Sequence, residues 1–140
     1  MSEANKELIR RWFEEVWNKG RADAIDEMID ENCIIHGLGG ATGQPVKGPG
    51  QFKSFHTTFR EAFPDITVSV DDTVAEGDKV AARCSVYGKH AGDSLGIEAS
   101  QARVEFTGMV IVRVKNGRIA EAWNNFDFMK MYRQMGVINI

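Results

Sequence analysis

The period of the apolar residues changes at Pro64, and that change limits the fold more than any other feature of the chain. Before Pro64 the apolar residues recur at three- and four-residue steps, the spacing of one helix face. After it they alternate, the spacing of a strand with one buried side. Leu8, Ile9, Trp12, Phe13, Val16 and Trp17 predict a first helix over Ser2 to Lys19, stopped at Gly20. A short second helix is expected over Ala22 to Ile29, with Ala24, Ile25, Met28 and Ile29 as its apolar side. The apolar run Cys33–His36 follows, and the Gly- and Pro-rich stretch Gly37–Gly50 reads as loop. Pro49 opens a third helix, Gly50 to Ala62, whose stripe is Phe52, Phe55, Phe59 and Phe63. Pro64 ends it.

Beyond Pro64, Ile66, Val68 and Val70 alternate with polar residues. Val74-Ala75, a turn at Glu76-Gly77-Asp78, and Lys79 to His90 read as strand, turn, strand. Ala91 to Ala102 is mixed polar with Leu95 and Ile97 inside it, and Arg103 to Val114 is a long strand. Lys115-Asn116-Gly117-Arg118 is a hairpin turn, because Asn-Gly supplies the two positive φ angles of a type I′ turn. Ile119 to Phe126 is the returning strand, and the tail from Phe128 starts with a helical turn carrying Met129, Met131 and Tyr132. Helices first and an antiparallel meander second define an α+β fold in a single domain of 140 residues.

Composition removes several classes of function. The formal net charge of −3 and the absence of a basic run argue against a nucleic-acid partner. Cys33 and Cys84 lie in apolar segments without a Cys-x-x-Cys spacing and read as buried free thiols. The charged N-terminus has no signal-peptide core, and no apolar stretch approaches the ~20 residues that span a bilayer, so a soluble, cytoplasmic protein is expected. His36, His56 and His90 have no ligand spacing, and no phosphate-binding or dinucleotide motif is present. Neither a metal nor a cofactor is expected.

One carboxylate stands out. Asp127 ends the last strand among Trp123, Phe126, Phe128 and Met129. A desolvated Asp has a raised pKa and can exchange a proton near neutrality; the other reading is a cap on the helical turn that begins at Phe128. Strand alternation puts Glu121, Trp123, Asn125 and Asp127 on one face, so Asn125 could hydrogen-bond an enolate oxygen and Trp123 could line a pocket wall. His36 before the Gly-rich loop and His90 at a strand end are candidates for a pocket mouth, whereas His56 reads as structural or exposed. Arg83, in an otherwise apolar strand, binds a substrate oxyanion if it points inward and is a surface charge if it points outward. Trp12, Phe13, Phe52, Phe55, Phe59, Phe106, Met109, Trp123 and Met129 either line a cavity for a flat hydrophobic ligand or form plain core.

The ordered set Ile34-Ile35-His36, Lys47-Gly48-Pro49-Gly50, Ala62-Phe63-Pro64-Asp65, Glu76-Gly77-Asp78-Lys79-Val80-Ala81-Ala82-Arg83, Gly88-Lys89-His90-Ala91-Gly92, Phe106-Thr107-Gly108-Met109 and Gly117 to Asp127 resembles the SnoaL-like polyketide cyclases, or ester cyclases, of the nuclear-transport-factor-2-like superfamily. The resemblance runs from the first helix to Gln134-Met135-Gly136. It implies a cystatin-like cone in which three N-terminal helices pack on a strongly curved antiparallel sheet around an apolar pocket. It further implies an intramolecular aldol ring closure without metal or organic cofactor, on a hydrophobic carbonyl substrate. Asp127 matches the family's acid/base. The strand Phe106 to Val114 lacks the His that assists this Asp in some members, which leaves Asn125, His36 and His90 as candidate assistants. Trp12, Phe59, Arg83, Phe106, Met109 and Trp123 are the candidate substrate-binding residues. An isomerase or dehydratase using the same carboxylate, and a non-catalytic module that binds a small molecule, are the alternatives. The exposed face of a curved sheet is a natural two-fold interface, so a homodimer is expected.

Overall fold

The computed structural model describes residues 2–38 and 43–139. Helix α1 (Ser2–Arg11) continues without a break into a π-helical segment, Trp12–Asn18. The wider turn is closed by the Lys19 N–H on the Glu14 carbonyl, at 2.9 Å. It brings four large side chains, Trp12, Phe13, Val16 and Trp17, to the buried side together. Helix α2 (Ala22–Met28) follows and leads directly into strand β1 (Ile29–His36). The part of the expected Gly37–Gly50 loop at 39–42 lies outside the described residues. Just after it, Val46–Lys47 forms a two-residue strand, β2, and α3 (Gly48–Ala62) starts with Pro49 in its first turn. The later elements are β3 (Thr67–Glu76), β4 (Lys79–Lys89), β5 (Arg103–Lys115), β6 (Arg118–Phe126) and α4 (Phe128–Gln134).

The six strands form one sheet in the order β2-β1-β6-β5-β4-β3. The meander β3 to β6 is antiparallel as its sequence predicts, and Asn116 and Gly117 both take positive φ at the β5–β6 turn. The expectation of a wholly antiparallel sheet is corrected at β1, which lies parallel to β6 and makes the sheet mixed. Cys33 and Ile35 put their side chains into the core while the backbone of β1 covers what would otherwise be an open edge of β6.

The inner face of the sheet carries Val80, Ala82, Cys84 and Val86 from β4, and Val104, Phe106, Val110 and Val112 from β5. The helices lie on this face. The α3 stripe buries Phe52, His56, Phe59 and Ala62 at three- and four-residue steps against the π-helical segment. Both cysteines are free and buried, and desolvation pushes each thiol up to about 12. Among the described residues no helix is long and apolar enough to cross a membrane, and no cluster of His, Cys, Asp or Glu could hold a metal ion.

Candidate active site

Helices and sheet enclose an open-mouthed cavity with about 680 Å³ of space between atoms, the mouth included. Its wall is almost wholly apolar: Trp12, Phe13 and Trp17 from the π-helical segment, Phe52, Phe55 and Phe59 from α3, and Phe106, Val110 and Val112 from β5. Strand β6 contributes Ile119, Ala122, Asn124 and Phe126, and α4 contributes Phe128. No ionisable side chain lines it among the described residues.

Of the residues expected to bind substrate, Trp12, Phe59 and Phe106 stand in this wall. Arg83, Met109 and Trp123 do not; they project from the opposite, outer face of the sheet. Arg83 is exposed there, 3.9 Å from the Asp71 carboxylate. Met109 is 52% exposed, and Trp123 is 38% exposed and stacks on the His36 ring at 5.7 Å. Arg83 and Met109 follow from strand alternation, since their neighbours Ala82, Cys84 and Val110 point inward.

For β6 the cause is a bulge. Val114 pairs with Ile119 and Arg113 with Glu121, so Ala120 is an extra residue without a partner on β5. An extra residue exchanges the two faces of everything after it. Counting by twos from the inward Ile119 leads to Glu121, Trp123, Asn125 and Asp127. The bulge instead turns Ala122, Asn124 and Phe126 inward. Asn125 is therefore exposed on the outer face, and Asn124, which sequence reading passed over, faces the cavity. The signal was there in Arg118-Ile119-Ala120: two consecutive apolar residues, both buried, cannot belong to one unbroken alternation.

Asp127 takes the second of its two sequence readings. It is exposed, not enclosed by apolar side chains, and its Oδ1 accepts the Lys130 N–H at 3.0 Å as the N-cap of α4. It lines a separate surface depression with Met129, Lys130 and Arg133. Its chain neighbours Phe126 and Phe128 both line the cavity, whereas Asp127 itself does not. Its second oxygen has no hydrogen-bond partner among the described residues.

The two histidines offered as assistants are also apart from the cavity wall. His36 Nε2 is 2.8 Å from Glu121 Oε2 on the outer face. That hydrogen bond, reinforced by Arg113, holds the Glu121 carboxyl below the usual carboxylate range. His90 is fully buried behind the wall, tilted against Phe63. The segment 91–102 folds back over it, so the Ser100 N–H donates to its Nδ1 at 3.1 Å and the Ser100 hydroxyl lies 2.9 Å away. Nδ1 is thereby the acceptor and Nε2 carries the proton, with no partner within the described residues.

The sequence and fold match known proteins. The family model for SnoaL-like polyketide cyclase matches residues 7–135, and the chain belongs to that family. It is 27% identical over 131 residues to the aklanonic acid methyl ester cyclase DnrD of Streptomyces peucetius, covering 93% of this chain and 89% of that one. It is 30% identical to IdmH of Streptomyces antibioticus, proposed to be a polyketide cyclase, with a TM-score of 0.81 over 95% of this chain and 99% of that one. A SnoaL-like protein of Jannaschia sp. CCS1 shares the fold at a TM-score of 0.85 and 24% identity, covering 99% of this chain and 95% of that one.

Proposed function

We propose that this protein is a cofactor-independent polyketide cyclase that closes a ring in a hydrophobic carbonyl substrate by an intramolecular aldol reaction. The observation that carries the reading is the aromatic-walled chamber in a chain of the SnoaL-like family. Trp12, Trp17, Phe52, Phe55 and Phe59 pack into one aromatic cluster in that wall, which suits a hydrophobic, ring-forming polyketide rather than a charged molecule. Such walls hold the two reacting carbons of one chain together and keep water from them.

In this reading Asp127, between the wall residues Phe126 and Phe128 in the chain, is the acid/base. Its free oxygen removes a proton from the methylene between two carbonyls. The enolate carbon then attacks the second carbonyl carbon, one C–C bond forms, and the resulting alkoxide takes the proton back from Asp127. Capping by Oδ1 leaves the other oxygen for this exchange and fixes the side chain. The test is deuterium exchange into β-ketoesters and 1,3-diketones in D₂O. Wild type should catalyse it, and Asp127→Asn should not. Asn is as good an N-cap as Asp, so that variant keeps its fold. Equal exchange by both proteins would remove Asp127 from the mechanism.

A second reading, a non-catalytic module that holds a hydrophobic small molecule, is favoured by the absence of ionisable groups from the wall and by the exposure of Asp127. Binding of the same compounds without exchange would establish it. The partner expected in either case is a second copy of the chain, paired through the outer sheet face.

A further inference from the structure

We infer that Asn124 selects ligands carrying a hydroxyl or enol O–H, by presenting the only side-chain hydrogen-bond acceptor in the chamber wall among the described residues. The inference rests on the reading of the chamber as a ligand site and adds what the ligand must carry.

Every other wall residue is apolar except the indoles of Trp12 and Trp17, whose N–H groups only donate. The Asn124 amide is held in one orientation. Its Nδ2 donates to the His36 carbonyl on the parallel strand β1 at 3.0 Å. A carbonyl can only accept, so the nitrogen must face His36 and Oδ1 must point the other way. Oδ1 has no donor among the described residues, although the residue is half-buried. The bulge at Ala120 is what turns this residue inward.

An acceptor of this kind is solvated while the chamber is open. A ligand that fills the chamber strips that water away. If the ligand brings an O–H to Oδ1, the lost bond is replaced; if it brings a methyl group, Oδ1 is left buried and unpaired. The amide thus rejects the methyl isostere more strongly than it attracts the hydroxyl. The aromatic walls supply affinity without direction, and Asn124 supplies the direction. A flat substrate is then seated with its hydroxylated edge on β6, two residues before Phe126 and three before Asp127.

The experiment compares 2-naphthol with 2-methylnaphthalene, which have nearly the same shape. Dissociation constants are measured by quenching of tryptophan fluorescence, for wild type and for Asn124→Leu. The expected result is that the ratio of the two constants moves by roughly tenfold or more toward 2-methylnaphthalene in the variant. A ratio unchanged within about twofold would overturn the role of Asn124 while leaving the chamber as a ligand site. Failure of both compounds to bind wild type would overturn the chamber reading and this inference with it. Should Asn124→Leu not fold, the side-chain amide resonances of Asn124 in wild type decide the matter. They shift with 2-naphthol beyond the shift caused by 2-methylnaphthalene if the inference holds, and equally with both if it does not.

Discussion

Phe126 lies directly opposite Gly108 on the neighbouring strand, and its ring fills the place where a larger residue would begin. A Cβ at 108 would stand 2.2 Å from Phe126 Cδ1 and 2.8 Å from its Cα. The glycine in the middle of β5 is therefore the space into which a wall residue of the cavity folds.

Gly108→Ala forces the Phe126 ring into the cavity or pushes β5 and β6 apart. Overpacking of this kind costs about 1–3 kcal/mol. Urea denaturation should show a loss of that size. The double variant Gly108→Ala/Phe126→Ala should recover part of it relative to the sum of the singles, as contacting pairs do. Simple additivity would mean that the two residues do not compete for the same space.

Much of this arrangement was legible in the sequence, because period and turn chemistry act locally. The change from helical spacing to alternation at Pro64 and the turn at Asn116-Gly117 both appear as read. What escaped depends on contacts distant in the chain. The parallel pairing of β1 with β6 joins Ile35 to Ala122, which no local pattern announces. The π-helical turn keeps Trp12, Phe13, Val16 and Trp17 buried together, an outcome that ordinary helical spacing mimics. The bulge at Ala120 reversed the faces of the candidate site: Asn125 and Trp123 turned outward and Asn124 inward. The capping role of Asp127 is one of the two that its sequence position offers, whereas its exposure follows from the path of β6 into α4 and not from its apolar neighbours in sequence.

His56 makes stability depend on pH. It is buried between the π-helical segment and α3, and its Nε2 lies 2.7 Å from the Val16 carbonyl. Desolvation holds its pKa below the ordinary 6.5, against the opposing hydrogen bond to Val16, with Arg60 adding to the lowering. Where the folded pKa is lower, the unfolded chain binds more protons between the two values. Stability should therefore fall as pH drops through about 6.5 and level off below the folded value. Urea midpoints between about pH 7.5 and 5 should show this decline, and His56→Gln should flatten it. An identical decline in the variant would assign the effect to other groups.

The outer sheet face is the surface through which the proposed dimer would pair. Ile111 and Trp123 are cross-strand partners there, 44% and 38% exposed, and Met109 beside them is 52% exposed. Arg83, Lys79 and Glu121 border this apolar strip, a pattern of apolar centre and charged rim. Ile111→Lys in both copies places two like charges at a two-fold contact. Sedimentation should show a dimer for wild type and a monomer for the variant, with circular dichroism unchanged. A wild-type monomer at high micromolar concentration would end this proposal.

Filling the chamber separates its role in packing from its role in function. Ala122 faces the cavity between Val112 on β5 and Ile35 on β1, and its small side chain leaves part of the space open. In Ala122→Leu the added methyl groups enter that space instead of meeting packed core. A stability gain of about 0.5–2 kcal/mol is the usual result of cavity filling, so the melting temperature should hold or rise. The same atoms take the place of the ligand, and affinity for naphthalene-sized compounds should fall by about tenfold or more, with deuterium exchange falling in parallel. If exchange persists at the wild-type rate in a folded variant that no longer binds these compounds, the chemistry takes place outside the chamber. The depression beside Asp127, Lys130 and Arg133 would then be the place to look.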